Sequence, residues 1–456
     1  MDKMNARIDS PFFTSIDPKV AIKGSRDPLG FQPIWIRFGR RLVGNVTNVT
    51  NSIRQFTTLI LGFYFVRDLV ERRRLGEEAF MEAFLRFEQL VDYSRYAWRQ
   101  TYRADSGDIR GIRRVKANYE ESPDKLEISA DQRYQIMSNQ KTYGIWGLFT
   151  VSGRDSDLID KHVLKPSIKA SQFIEGHYLQ SIEQAGVRAE IEMFLSKPHS
   201  TFAPSGKDTK LAKVLAEVHK AEYSSAEKTF YGHHLISGKT IHQDERQERL
   251  WKTMVAALGD GDGWRQWLSL AELGIIKETA KHNGDSTVAN ELDRIIRLEH
   301  ILSPCARLFA YLQGQHSLAL DSIVRDVKQV WPGGLRHIKP GSFDDLSPDI
   351  GGASTIKITE RLQQLARGLY KGDYETCIRL LIEQNEEVME WRGGGPWMKL
   401  DESGQLEVRY RYEDTALPES NIIADLRTHA YFLDSLKVLG RTLYFDTPEE
   451  IVDDAA

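Results

Sequence analysis

The feature that most constrains the fold is an apolar run too short for a membrane and too apolar for a surface. FTTLILGFYFV, Phe56 to Val66, is the most apolar stretch in the chain and is bounded by Arg54 and Arg67. A bilayer span needs about 20 such residues, so the run predicts a buried core helix. Asn51 or Ser52 can cap it, and Ile53, Phe56, Ile60, Phe63 and Val70 recur at helical spacing as far as about Arg74. A second helix is expected from about Glu77 to Arg103, with Phe80, Phe84, Phe87, Val91, Tyr93 and Trp98 on its apolar face.

The same period dominates the rest of the chain. Asp131 can cap a third long helix leading into Gln140–Phe149, and further helices are expected at about 166–196, 207–224, 244–258, 264–282 and 287–302, where Pro304 interrupts. Trp331–Gly352 is rich in Pro and Gly and reads as a long loop. Thr355–Tyr370 and Asp373–Arg392 read as a helical pair, and Asn421–Leu439 as a final helix ending at Gly440. The one strand signal is Trp397–Tyr412, two alternating runs about Glu402-Ser403-Gly404-Gln405, a hairpin pattern. The first fifty residues carry Pro11, Pro18, Pro28 and Pro33 among Phe12, Phe13, Phe31, Trp35 and Phe38, and read as an extended aromatic arm. The expected fold is therefore mainly α. Residues 1–50 form the arm, 51–200 and 201–392 two helical domains, and 393–456 a β-hairpin with a C-terminal helix.

The chain has 456 residues, enough for two or three packed units. Cys305 and Cys377 are its only cysteines, too few for a disulfide framework, and the first residues show no export signal, so a cytoplasmic protein without membrane contact is expected. The net charge of −4 conceals a split. Met1–Lys116 carries about 21 Lys and Arg against about 13 acids, and Asp401–Ala456 about 5 against about 13. A basic front and an acidic end can dock on each other or serve different partners.

Familiar catalytic patterns fail in identifiable ways. YGHHLISGKT, Tyr231–Thr240, has five residues between Gly232 and Gly238, where a phosphate-binding loop needs four; a turn between helices is the plainer reading. His219, His233, His234 and His242 lack the paired Cys or HExxH of a zinc site. Asp260 and Asp262 lie on a Gly-rich turn, but position twelve of a calcium loop starting at Asp260 would be Ala271 rather than Glu. In the hairpin, Asp401 followed by Glu407-Val408-Arg409 echoes a metal-dependent nuclease, with Arg409 where such an enzyme has Lys; exposed hairpin charges are the plainer reading. RGGGPW, Arg392–Trp397, gives the backbone freedom to approach a ligand or simply to turn into the hairpin. No cofactor and no metal ligand are expected.

Arginines interleaved with aromatic residues are the more persistent theme. Arg37, Arg40 and Arg41 stand among Trp35 and Phe38; Arg72, Arg73 and Arg74 end a helix, where the dipole favours cations; Arg110, Arg113, Arg114 and Lys116 come next. A guanidinium can hold two phosphate oxygens at once, so Arg37, Arg40, Arg41, Arg110, Arg113, Arg114 and Lys116 are the candidate nucleic-acid contacts. A solvated helix face, or an internal contact with the acidic end, is the plainer alternative.

Three stretches carry a resemblance: GSRDPLGFQPIWIRFGRRLVGNVTNVTNSIRQFTTLILGFYF, ISADQRYQIMSNQKTYGIWGLFTVSGRDSDLI, and RGGGPWMKL with the final helix. They resemble bacterial proteins encoded beside DNA-modification and phage-defence genes. The resemblance implies a context and carries over no functional residue. The sequence thus leans away from an enzyme. It points to a helical subunit of a bacterial anti-phage defence or DNA-processing assembly, holding other protein subunits and DNA or RNA. The alternative is a divergent metal-dependent nuclease or phosphoester hydrolase.

Overall fold

The computed structural model describes residues 27–73, 76–102, 109–259, 267–352, 358–412 and 416–445. Helices take up 64% of the described residues, and strands there form only two small antiparallel pairs, which makes the fold mainly α, as expected. The chain divides into two compact units, each built from non-contiguous stretches: residues 42–266 with 432–456, and residues 1–41 with 267–431.

In the first of these units the apolar run forms the helix Arg54–Arg73, buried almost all round from Arg54 to Val70. A helix apolar on every side belongs in a core. It packs on Glu77–Tyr102, Ile145–Asp155 and Arg188–Ser196. Gly62 allows a close approach: a Cβ there would sit 2.6 Å from the Phe84 ring. Around it Phe63 stacks on Trp146 with centroids 5.6 Å apart, and Phe56 meets Phe149 edge-on at 5.4 Å.

Two local expectations change here. Asp131 caps only a short 3-10 turn, Gln132–Tyr134, and the helices after it are Gln140–Tyr143 and Ile145–Asp155. Leu126–Ser129, preceding the turn, is a strand paired antiparallel with His199–Phe202, Leu126 opposite Phe202. Neither strand is long enough for alternation to show, so the pairing is a tertiary event.

In the other unit Leu270–His282 and Ser286–Leu312 pack together. The first begins with a capping box between Ser269 and Glu272, and the second with Asp285 accepting from the Val288 N–H. Pro304 does not interrupt the second helix. A proline in a helix interior costs about 3 kcal/mol, and burial of Ile301, Leu302, Pro304, Cys305 and Leu308 offsets it. Residues 32–40, read as arm, form a helix with Pro33 in its first turn, where the missing N–H is harmless. Phe31 at its start and Ile34, Trp35 and Phe38 within it are buried. Trp331–Gly352 contains the short helices Pro340–Phe343 and Ser347–Gly351.

The hairpin is present, Met398–Leu400 against Leu406–Val408. The expected final helix is two, Ser420–Asp425 and Leu433–Tyr444. Gly440 is interior to the second, where a Cβ would lie 2.5 Å from the Trp251 ring. Tyr431 and Phe432 break the run with positive φ of 49° and 63°, a backbone that bulky residues adopt only when their surroundings impose it.

Candidate functional site

A concentrated set of buried polar groups lies in the unit of residues 42–266 and 432–456, at the floor of a cleft of about 640 Å³. Arg54 enters from the first turn of its helix, where Ser52 Oγ accepts the Arg54 N–H at 3.2 Å. Glu227 comes from the helix Ser225–Tyr231. Its Oε2 accepts the Ser224 N–H at 2.8 Å while Ser224 Oγ accepts the Glu227 N–H, a complete capping box. Its Oε1 accepts from Arg54 Nη1 at 2.5 Å and from the Tyr178 hydroxyl at 2.7 Å. Arg54 also donates to the carbonyls of Lys220 and Glu222, each at 2.6 Å, and lies 4.1 Å from the Tyr223 ring centroid. Thr57 and Tyr231 hydroxyls meet at 2.8 Å behind the pair.

Only 1% of the Arg54 side chain and 5% of Glu227 remain exposed. Such a pair persists only because its hydrogen bonds are complete. Burial works against the charge on Glu227, but Arg54 and the Ser224 N–H hold its carboxyl below the usual range. Burial also works against Arg54, and Tyr223, Glu227 and Tyr178 outweigh it, so the guanidinium stays protonated. Burial pushes the Tyr178 and Tyr231 hydroxyls up. With the carboxylate held low and the phenols held high, none of these groups is poised to exchange a proton near neutrality. The cluster suits recognition and rigidity rather than acid–base chemistry.

Two π-helical turns flank this floor. Ile174–Tyr178 carries His177 and Tyr178; Gly232–Ile236 carries His233 and His234. Such turns are rare and gather at functional sites. Here side chains take up carbonyls in the second turn: Asn45 Nδ2 donates to His234 O, Gln247 Nε2 to Leu235 O and Ser237 Oγ to His233 O. The YGHHLISGKT segment thus continues a helix as far as Ile236 and then turns at Gly238, φ +62°. Lys239 pairs with Glu245 at 3.0 Å, so this is not a phosphate loop.

The other histidines do not converge. His219 is buried with Nδ1 on Leu215 O at 2.7 Å, and burial holds its ring neutral. Among the described residues no three His, Cys, Asp or Glu side chains are placed to share a metal ion. Asp260 and Asp262 lie outside the described residues. Asp401 accepts from Ser403 N, Ser403 Oγ and Gln405 N, organising the hairpin turn, and Glu407 pairs with Lys399 at 3.0 Å.

The candidate nucleic-acid contacts fall in both units. Arg37 donates to Gly352 O at 2.9 Å, Arg41 pairs with Asp349 and Glu291, and Arg40 is half-buried with a partner. Arg110 is half-buried, 5.8 Å from the Phe149 ring centroid. On the helix Ile112–Glu121, Arg114 donates to Gln135 O and Met137 O, while Arg113 and Lys116 are exposed, Lys116 lying 3.9 Å from Glu120.

Two further buried carboxylates escaped sequence reasoning. Glu299, in the unit of residues 1–41 and 267–431, is fully buried. It accepts from Ser303 Oγ, the Thr428 and His429 N–H groups and the Tyr431 hydroxyl, with His429 Nδ1 3.1 Å from both oxygens. This clamp accounts for the break in the last helical run. Glu88, in the other unit, accepts from Gln140 Nε2 at 2.8 Å and from the Ile145 N–H at 2.7 Å. Burial raises it from 4.5 to about 7. A carboxyl that holds its proton more tightly when folded stabilises the fold fully below pH 4.5 and loses that contribution as pH rises to about 7. The loss is on the order of 3 kcal/mol. Denaturant titrations between pH 4.5 and 7 should show this decline, and Glu88→Gln should remove it; an unchanged pH slope in the variant would assign the decline elsewhere.

No family model matches the chain, and no curated protein or solved structure is significantly similar to it. Among the described residues no helix is long and apolar enough to cross a membrane.

Proposed function

We propose that this protein is a non-catalytic helical subunit of a bacterial anti-phage defence or DNA-processing assembly, binding partner proteins and nucleic acid in the cytoplasm. One observation carries the non-catalytic part. The buried ionisable cluster Arg54–Glu227–Tyr178 spends its hydrogen bonds on itself and on the neighbouring backbone, with protonation states held far from neutrality. The three resembling sequence stretches supply the context. Nucleic-acid contact rests on Arg113 and Lys116, exposed on one helix, while Arg37 and Arg41 are engaged within their own unit.

Purified from its native cells, the protein is expected to elute well above its 52.2 kDa monomer mass with a defined protein partner. Elution as a nucleic-acid-free monomer would overturn the proposal. Arg113→Glu with Lys116→Glu should weaken DNA or RNA binding and flatten its salt dependence by about 0.9 in log–log slope for each phosphate no longer neutralised. Binding that keeps its slope would remove this helix from the interface.

A further inference from the structure

A second groove adjoins the two π-helical turns. It has a volume of about 590 Å³ and is lined by Phe173, Gln172, Ala226, Phe230, His233 and His234. It runs between the helices Ile168–Phe173 and Ser225–Tyr231. Its apolar wall is a ladder of rings: Phe230 stacks on Phe173 at 3.9 Å with planes 4° apart, and His177 stacks on Phe173 at 5.1 Å. Because the ring faces cover one another, the ladder offers its edges to a ligand. Ring edges carry the positive end of the aromatic quadrupole and favour the π face of a planar group laid across them.

His234 supplies the polar half of the site. It is 95% buried, being only 5% exposed, and lies 4.6 Å from Phe230. Nδ1 is 2.8 Å from Ser156 O. A carbonyl only accepts, so Nδ1 carries the proton and Nε2 is left as a bare acceptor. Among the described residues Nε2 has no hydrogen-bond partner. Burial holds the ring down to about 4, so it stays neutral in ordinary conditions. A neutral acceptor open to the groove takes an N–H or O–H donor and offers a phosphate or carboxylate no partner. Lys169, at the groove's edge, is 3.5 Å from Asp157, so the groove reserves no cation for an anion. Gln172, on the lining, offers an amide with both donor and acceptor, the geometry that pairs with an amino-bearing base edge.

We propose that this groove binds a nucleobase bearing an exocyclic amine, whose N–H bonds to His234 Nε2 while its face lies on the Phe173–Phe230 ladder. The base can belong to a free nucleotide or to an unpaired position in a strand. The site is independent of the Arg113–Lys116 surface and does not require it.

Isothermal titration of the intact protein with adenosine, purine riboside (which lacks the amine), adenosine monophosphate and a short single-stranded oligodeoxyadenylate tests the proposal. Adenosine should bind about tenfold more tightly than purine riboside, the ratio expected for one hydrogen bond. His234→Phe should erase that ratio. Ala226→Arg fills the groove from an exposed position and should abolish adenosine binding while circular dichroism stays unchanged, so the test survives if His234→Phe does not fold. Equal binding of adenosine, its monophosphate and the oligomer supports a free nucleotide as the source; oligomer binding well tighter than adenosine binding, both lost in Ala226→Arg, supports a strand. Arg113→Glu with Lys116→Glu should leave adenosine binding intact, separating this groove from the exposed basic helix. No binding of any probe at millimolar concentration, equal binding of adenosine and purine riboside, or equally strong binding of tryptophanamide overturns the proposal.

Discussion

Arg54→Ala should destabilise its unit by about 3–5 kcal/mol, because it leaves the carboxylate of Glu227 buried without a countercharge. The carbonyls of Lys220 and Glu222 lose their donor in the same step. The loss should appear as a lower denaturant midpoint. It should also appear as faster amide exchange in residues 54–73 and 220–231, since Arg54 ties the helix N-terminus to the strap between Lys220 and Ser224. Removing both charges should cost less than the sum of the single losses, so Arg54→Met with Glu227→Gln is expected to recover part of the stability. A loss below about 1 kcal/mol, the range of exposed pairs, would contradict the buried geometry.

Glu299→Ala should be comparably severe, on the order of 4 kcal/mol, by leaving the Thr428 and His429 amides and the Tyr431 hydroxyl without an acceptor. The effect has a pH signature. Burial alone would raise this carboxyl; His429, Ser303 and Tyr431 outweigh it and hold the group near 2 against an ordinary 4.5. A depressed carboxyl contributes stability above the unfolded value and loses it on acidification. The wild-type advantage over Glu299→Gln should therefore be full above about pH 4.5 and shrink by on the order of 3 kcal/mol towards pH 2. Glu88 has the opposite sign, so acidification should weaken the unit that holds Glu299 while relieving the burial cost of Glu88 in the other. A gap that stays constant with pH would show that Glu299 titrates normally.

Much of the helical architecture is legible in sequence. The period of Ile53, Phe56, Ile60 and Phe63 marks a helix because one buried stripe must recur every turn, and the same logic finds Glu77–Tyr102 and Tyr374–Trp391. The hairpin about Gly404, φ +76°, is legible because that turn favours glycine. Local rules mislead where tertiary contacts outweigh them. Pro304 looks like a stop and is carried through by burial on its helix, and Tyr431 and Phe432 look helical but are turned where Glu299 clamps the preceding backbone.

The buried clusters leave a fainter trace for a related reason. Glu227 carries a local signal, Ser224 to Glu227 as a capping box, yet nothing near it names Arg54, far away in sequence. Glu88, Glu299 and Arg54 look like surface charges on amphipathic helices, and only their neighbours reveal them as buried.

By itself, then, the sequence determined the class of fold, the long helices, the hairpin and the arginine-rich segments, because these arise from periodicity and composition within a turn or two of chain. Tertiary structure decided which charges are interior, how Arg54 meets Glu227, which arginines are already engaged, and how His234 keeps a bare acceptor beside an aromatic ladder. Those depend on pairings between distant segments, whose energies of burial and hydrogen bonding leave no local pattern to read.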